Sequence, residues 1–162
     1  MEIAKVLEIG VESERIIFAN PTKQVSHVRY AAQNGVRAMT FDSETELYKV
    51  KQHHPRARMV LRMRCDAKKV QCPLGIKFGA LPKDAPRLIE LARQLDIDLV
   101  GISFHVGSGC AEPQVLFFYF SNACTFSGLH ARADTIASAK MLHKIRRAGA
   151  VGNKAKDHLT TV

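Results

Sequence analysis

The chain has 162 residues, enough for one domain with a true core, and 46% hydrophobic with 24% charged residues excludes a wholly disordered polypeptide. No run of about 20 apolar residues occurs, and Met1-Glu2-Ile3-Ala4-Lys5 lacks a basic-then-apolar leader, which argues against a membrane span and secretion and for the cytoplasm. The net charge of +9 invites a nucleic-acid partner, but the densest basic cluster (Arg56, Arg58, Arg62, Arg64, Lys68, Lys69) has no interleaved aromatics, so none is expected.

Along the chain, strand-like apolar runs alternate with amphipathic stretches. Residues 1–10 read as the end of a helix, with Gly10 a stop. Arg15 to Asn20 reads as a strand, and Pro21-Thr22 opens a helix to about Asn34 with Gly35 as its C-terminal glycine. Val36 to Phe41 is the next strand. Asp42-Ser43-Glu44-Thr45-Glu46 supplies a cap and first-turn acids for a helix to about His53, which Pro55 stops. His53 and His54 read as solvated side chains at that helix end rather than metal ligands.

Arg58 to Arg64 is a third strand, with basic and apolar residues alternating. Cys65 to Pro82 is irregular. Asp84-Ala85-Pro86 begins a helix with Leu88, Ile89, Leu91, Ala92 and Leu95 on one face, and Asp98 to Phe104 is the fourth strand. Such alternation predicts parallel strands joined by crossovers. Periodicity does not choose between an open doubly wound sheet and a closed barrel. The four cysteines (Cys65, Cys72, Cys110, Cys124) form no C-x-x-C pair and read as thiols of a reducing compartment.

The segment Ser103-Phe104-His105-Val106-Gly107-Ser108-Gly109-Cys110 ends that fourth strand. Its glycines let backbone approach a ligand, and free N–H groups with a hydroxyl can hold an anion. The imidazole of His105 can lie flat against a planar ligand. The alternative is a strand-to-helix turn whose histidine is satisfied locally.

The wording SFHVGSGC resembles the pyridoxal-phosphate barrel of the eukaryotic ornithine decarboxylase and antizyme inhibitor family. Collinear stretches agree: Ile16-Ile17-Phe18-Ala19-Asn20-Pro21, Lys23-Gln24-Val25-Ser26, Met39-Thr40-Phe41-Asp42-Ser43-Glu44, Met59-Val60-Leu61-Arg62 and Lys77-Phe78-Gly79-Ala80. The resemblance covers residues 1–110. It implies an α/β fold, about half of a (β/α)8 barrel of the TIM type, with residues 111–162 as a divergent tail. It implies pyridoxal 5'-phosphate as cofactor and L-ornithine as the parent substrate, decarboxylated to putrescine in polyamine synthesis.

By the same resemblance His105 stacks on the cofactor ring, Ser108 donates to its phosphate, Gly107 and Gly109 form the turn around it, and Arg62 lies near it at a strand end. Glu2 matches an acid near the active site, and Lys77 a lysine near the subunit interface of a homodimer. The family's Schiff-base lysine falls before Met1, so this 162-residue chain is expected not to decarboxylate ornithine. A half-barrel leaves two bare sheet edges.

The tail is expected to be a divergent segment. Gln114-Val115-Leu116-Phe117-Phe118-Tyr119-Phe120 has no polar face, and Thr135 to Ala148 reads as a basic helix. A second function stands beside the enzyme reading. In the family, antizyme binds a helix and the following strand, here about Lys23 to Glu44, where Lys23, Arg29 and Arg37 would face an acidic partner.

Overall fold

The computed structural model describes residues 2–65, 77–105 and 160–161. Helices and strands alternate as α1 (Glu2–Glu8), β1 (Ile16–Phe18), α2 (Val25–Gln33), β2 (Ala38–Phe41), α3 (Glu44–His53), β3 (Arg58–Met63), α4 (Ala85–Gln94) and β4 (Asp98–Phe104), with a short β5 (Thr160–Thr161). All strands run parallel in one sheet, ordered β4-β3-β2-β1-β5. The boundary drawn at residue 110 and the tail features expected after it, up to residue 159, lie outside the described residues.

Where element ends differ from expectation, local hydrogen bonds explain the difference. Helix α2 begins at Val25 rather than Pro21 because the intervening residues form a turn. The Thr22 N–H donates to Asn20 Oδ1 at 3.1 Å, and the Lys23 N–H donates to the Glu46 carboxylate at 3.3 Å. At the other end Gly35 takes φ +74°, and the Val36 N–H donates back to the Ala31 carbonyl at 2.9 Å. Val36 therefore completes the helix stop, and the strand starts two residues later.

The sheet has two unlike faces. In β3, Met59, Leu61 and Met63 are buried while Val60 and Arg62 are half-buried. The buried set joins Phe18, Met39, Phe41 and Ile102 in one core with Ile3 of α1, Val28 and Ala31 of α2, Leu47 and Val50 of α3, and Leu88, Ile89 and Ala92 of α4. Every described helix thus covers the same face. A doubly wound sheet carries helices on both faces, so this layout is that of a barrel slice whose other face is the barrel interior.

Of the two edges expected to be bare, the β1 edge is paired, through Ile16 with Thr160 and Ile17 with Thr161. The outer edge of β4 has no strand partner among the described residues. One irregularity lies inside the sheet. Met59 pairs with Leu99 but Val60 pairs with Gly101, so β4 carries one extra residue, Val100.

His54 corrects the expectation of a solvated side chain. It is buried, and Nε2 lies 3.1 Å from the Val36 carbonyl, to which it donates. The α3 C-terminus folds it back across the α2–β2 connection. Burial lowers its pKa below the ordinary 6.5. The Val36 carbonyl opposes this, and Arg56 and Arg37 add to the lowering. A depressed folded pKa means that the unfolded chain binds the extra proton first. The stabilisation is therefore complete above about pH 6.5 and is lost as pH falls below it. The urea midpoint is expected to drop between pH 7.5 and pH 5.5, and His54→Gln should show a smaller drop.

Candidate functional site

Parallel strands present paired residues to the same face, so register decides which side chains meet. Beyond the extra residue in β4, Arg62 pairs with Ser103 and Met63 with Phe104. Ser103 therefore stands beside Arg62 on the interior face. His105, two residues on and half-buried, follows the same alternation at the strand end. Without the extra residue, Arg62 would face Ile102, and the alternate β4 residues would turn toward the helices. The carboxyl ends of β3 and β4 thus bring together Arg62 and Ser103, and His105 follows directly after the end of β4. Ser108, Gly107 and Gly109 lie outside the described residues.

Arg62 is held from several sides. Its Nη1 donates to the Ala19 carbonyl at 3.3 Å, and its guanidinium carbon lies 5.2 Å from the centre of the Phe78 ring. Burial lowers the Arg62 pKa, and the nearby Asp42 charge opposes this. The Phe78 platform is itself tied down. The Gly79 N–H donates to Asp42 Oδ2 at 2.8 Å, the Ala80 N–H donates to the Arg62 carbonyl at 2.8 Å, and the Arg64 N–H donates to the Ala80 carbonyl at 2.8 Å.

Gly79 has φ +105°, and a Cβ there would sit 2.5 Å from the Arg64 backbone nitrogen. Only glycine lets this strap lie so close to β3. Residues 77–80 read as irregular in sequence, yet they are the brace behind Arg62.

Ser103 was not singled out from sequence. Its Oγ is buried and has no hydrogen-bond partner among the described residues. The available signal was its place two residues before His105 on a strand, hence on the same face.

The other candidate residues lie elsewhere. Glu2 lines a hollow of about 400 Å³ beside β1, with Ile3, Phe18, Asn20, Lys23 and His27 among its walls. Lys77 is exposed. Arg29 and Arg37 are exposed on the outer surface. Arg29 Nη2 lies 3.5 Å from His53 Nδ1, and Arg37 Nε donates to the Arg56 carbonyl at 3.1 Å.

Lys23 departs from expectation: its side chain is sealed from solvent and offers no charge to a partner. Its ammonium uses all three N–H groups, on Glu46 Oε1 at 2.8 Å, the Thr40 carbonyl at 2.6 Å and the Asn20 carbonyl at 3.2 Å. Burial lowers the Lys23 pKa, and the adjacent Glu46 carboxylate opposes it. Glu46 also binds Lys49 of its own helix. The pair thereby ties the α2 entry and α3 to the ends of β1 and β2. It was invisible from sequence because the partners lie 23 residues apart.

The polar interior face, with its donors gathered at strand carboxyl ends, sets the frame for comparison with known proteins. A family model described as "Pyridoxal-dependent decarboxylase, pyridoxal binding domain" matches residues 1–143. The chain belongs to the pyridoxal-dependent decarboxylase family. The match runs past Cys110, where the sequence resemblance was read to end. Among relatives, ornithine decarboxylase of Mus musculus is 52% identical over 126 residues, 77% of this chain and 27% of that protein. Antizyme inhibitor 2 of Xenopus laevis is 52% identical over 122 residues, 75% of this chain and 27% of the relative.

Among solved structures, the Paramecium bursaria Chlorella virus arginine decarboxylase superposes with TM-score 0.77 at 42% identity, covering 78% of this chain and 34% of that one. The chain thus spans about a quarter of the length of these curated relatives. Pyridoxal-dependent decarboxylases of this kind have a TIM-type barrel, and the described sheet is part of one.

The residues present fit a pyridoxal group. Arg62 and Ser103 offer donors toward the interior and no acceptor beyond the serine oxygen, which suits a ring bearing oxygen and nitrogen acceptors. Among the described residues no helix is long and apolar enough to cross a membrane, and no group of three metal-ligating side chains occurs.

The buried ion pair yields a stability test. Glu46→Ala leaves the Lys23 ammonium sealed without its counter-charge and should cost about 3–5 kcal/mol. Replacing both partners (Lys23→Met with Glu46→Leu) should recover most of that loss. Urea denaturation at neutral pH measures both.

Proposed function

We propose that this chain forms the cofactor-facing strands of an ornithine-decarboxylase-type protein of polyamine synthesis, with L-ornithine as substrate, working in the cytoplasm. Ornithine decarboxylase is the name carried by several relatives, and a pyridoxal-binding domain is the family match. The observation that carries the reading is the pairing of Arg62 with Ser103 on the interior face at the carboxyl ends of β3 and β4, with His105 two residues on in the chain.

Pyridoxal phosphate, when bound, supplies the electron sink that decarboxylation of an amino acid requires. In this reading His105 lies against the ring and fixes its plane. Arg62, braced by Phe78 and the Ala19 carbonyl, orients the ring edge through its remaining N–H groups. Ser108, between Gly107 and Gly109, holds the phosphate with hydroxyl and backbone N–H donors. Such fixed donors do not reorganise when charge develops, which is how they contribute to rate.

Equilibrium dialysis of the 162-residue chain against pyridoxal phosphate tests the cofactor reading. Saturable binding is expected, weakened about tenfold in His105→Ala through loss of the stacking contact. Binding that His105→Ala leaves unchanged would contradict the assignment.

A second reading is that the chain captures antizyme without turnover, and the likeness to an antizyme inhibitor supports it. Arg29 and Arg37 present two solvated guanidinium groups on α2 and the connection after it. Lys23 is withdrawn from that surface. Retention on immobilised antizyme should fall by about tenfold or more in an Arg29→Glu, Arg37→Glu double variant at low salt, and the difference should shrink as salt screens the charges. Equal retention of the double variant and the natural chain would remove this reading.

A further inference from the structure

We propose that Ser103 is an additional cofactor-contacting residue, whose hydroxyl donates to an acceptor on the aromatic ring of pyridoxal phosphate. The proposal rests on the cofactor reading above and extends it to a residue and an atom.

The first observation is an unmet donor. Ser103 Oγ is buried, and it has no hydrogen-bond partner among the described residues. A hydroxyl in such a position opposes folding, because it has lost water and gained nothing. The strand needs no hydroxyl there: β propensity favours valine, isoleucine or an aromatic residue.

The second observation concerns the neighbours. Arg62, directly across the ladder, carries only donors and cannot accept the serine proton. Gly101, two residues back on the same strand, has no side chain, and its ladder partner Val60 is apolar. Thr40 on β2 already directs its Oγ1 to the Phe18 carbonyl at 3.5 Å. Arg62 spends one N–H on the Ala19 carbonyl and lies near the Asp42 carboxylate, but no acceptor among the described residues meets the serine proton. The missing acceptor is best supplied by a ligand.

The third observation is depth. Ser103 is an interior rung of β4, one layer deeper than His105 and about 6–7 Å along the strand from it. A ring covered by His105, as in that reading, would present its substituents to the layer of Arg62 and Ser103.

The test uses the 162-residue chain and three variants, Ser103→Ala, Ser103→Thr and His105→Ala. Each is titrated with pyridoxal phosphate and with pyridoxal by equilibrium dialysis, and each is unfolded in urea without ligand. Ser103→Ala should weaken both ligands by the same factor, about five- to tenfold. Ser103→Thr, which keeps the hydroxyl, should restore binding. Without ligand, the urea midpoint of Ser103→Ala should equal or exceed that of the natural chain, because an unmet hydroxyl has been removed.

A lower midpoint for Ser103→Ala would mean that the hydroxyl has an internal structural partner, and would overturn the proposal. So would unchanged affinity in Ser103→Ala where His105→Ala binds weakly, an outcome that leaves the cofactor reading standing. A loss seen with pyridoxal phosphate but not with pyridoxal would assign the hydroxyl to the phosphate and overturn the ring contact. Absence of any binding by the natural chain would overturn both readings together.

Discussion

One extra residue in β4 governs the chemistry of this chain. The step from Met59–Leu99 to Val60–Gly101 leaves Val100 unmatched and shifts all later pairings by one. Because strand side chains alternate with period two, a shift of one exchanges the faces. Ile102 and Phe104 turn toward the helices, and Ser103 turns toward Arg62. The helix-side core gains apolar groups at the same stroke that the interior face gains polar ones.

That division explains how a chain with a +9 charge keeps a coherent core. Its cations have separate tasks. Lys23 is sealed against Glu46 and two backbone carbonyls, and Lys49 joins from the rim of α3. Arg58 with Asp98, Arg87 with Glu44 and Arg93 with Glu90 are solvated pairs of small individual worth. Arg62 points inward with a braced guanidinium.

Preorganisation of Arg62 depends on backbone as much as on side chains. The strap 77–80 lies against β3 because Gly79 permits both the positive φ and the close approach, and Asp42 anchors its N–H. The same carboxylate supports the Arg62 charge. A substitution in this strap would therefore act on the interior face through the position of the Phe78 ring, without touching a ligand.

The amino-acid sequence by itself determined the alternation of helices and strands, the α/β class, and the family, through collinear motifs ending in SFHVGSGC. It offered His105 as a candidate from its place after an apolar strand, and Arg62 through the resemblance alone. Barrel or doubly wound sheet was not legible from periodicity; the described helices, all on one face, and the likeness to solved decarboxylases decided it. Lys23 and His54 read as solvated charge and solvated ring, yet both are buried. Ser103 passed as an ordinary strand residue. Periodicity is a property of neighbours along the chain, whereas burial, register and ion pairing arise between segments that only the folded sheet brings into contact.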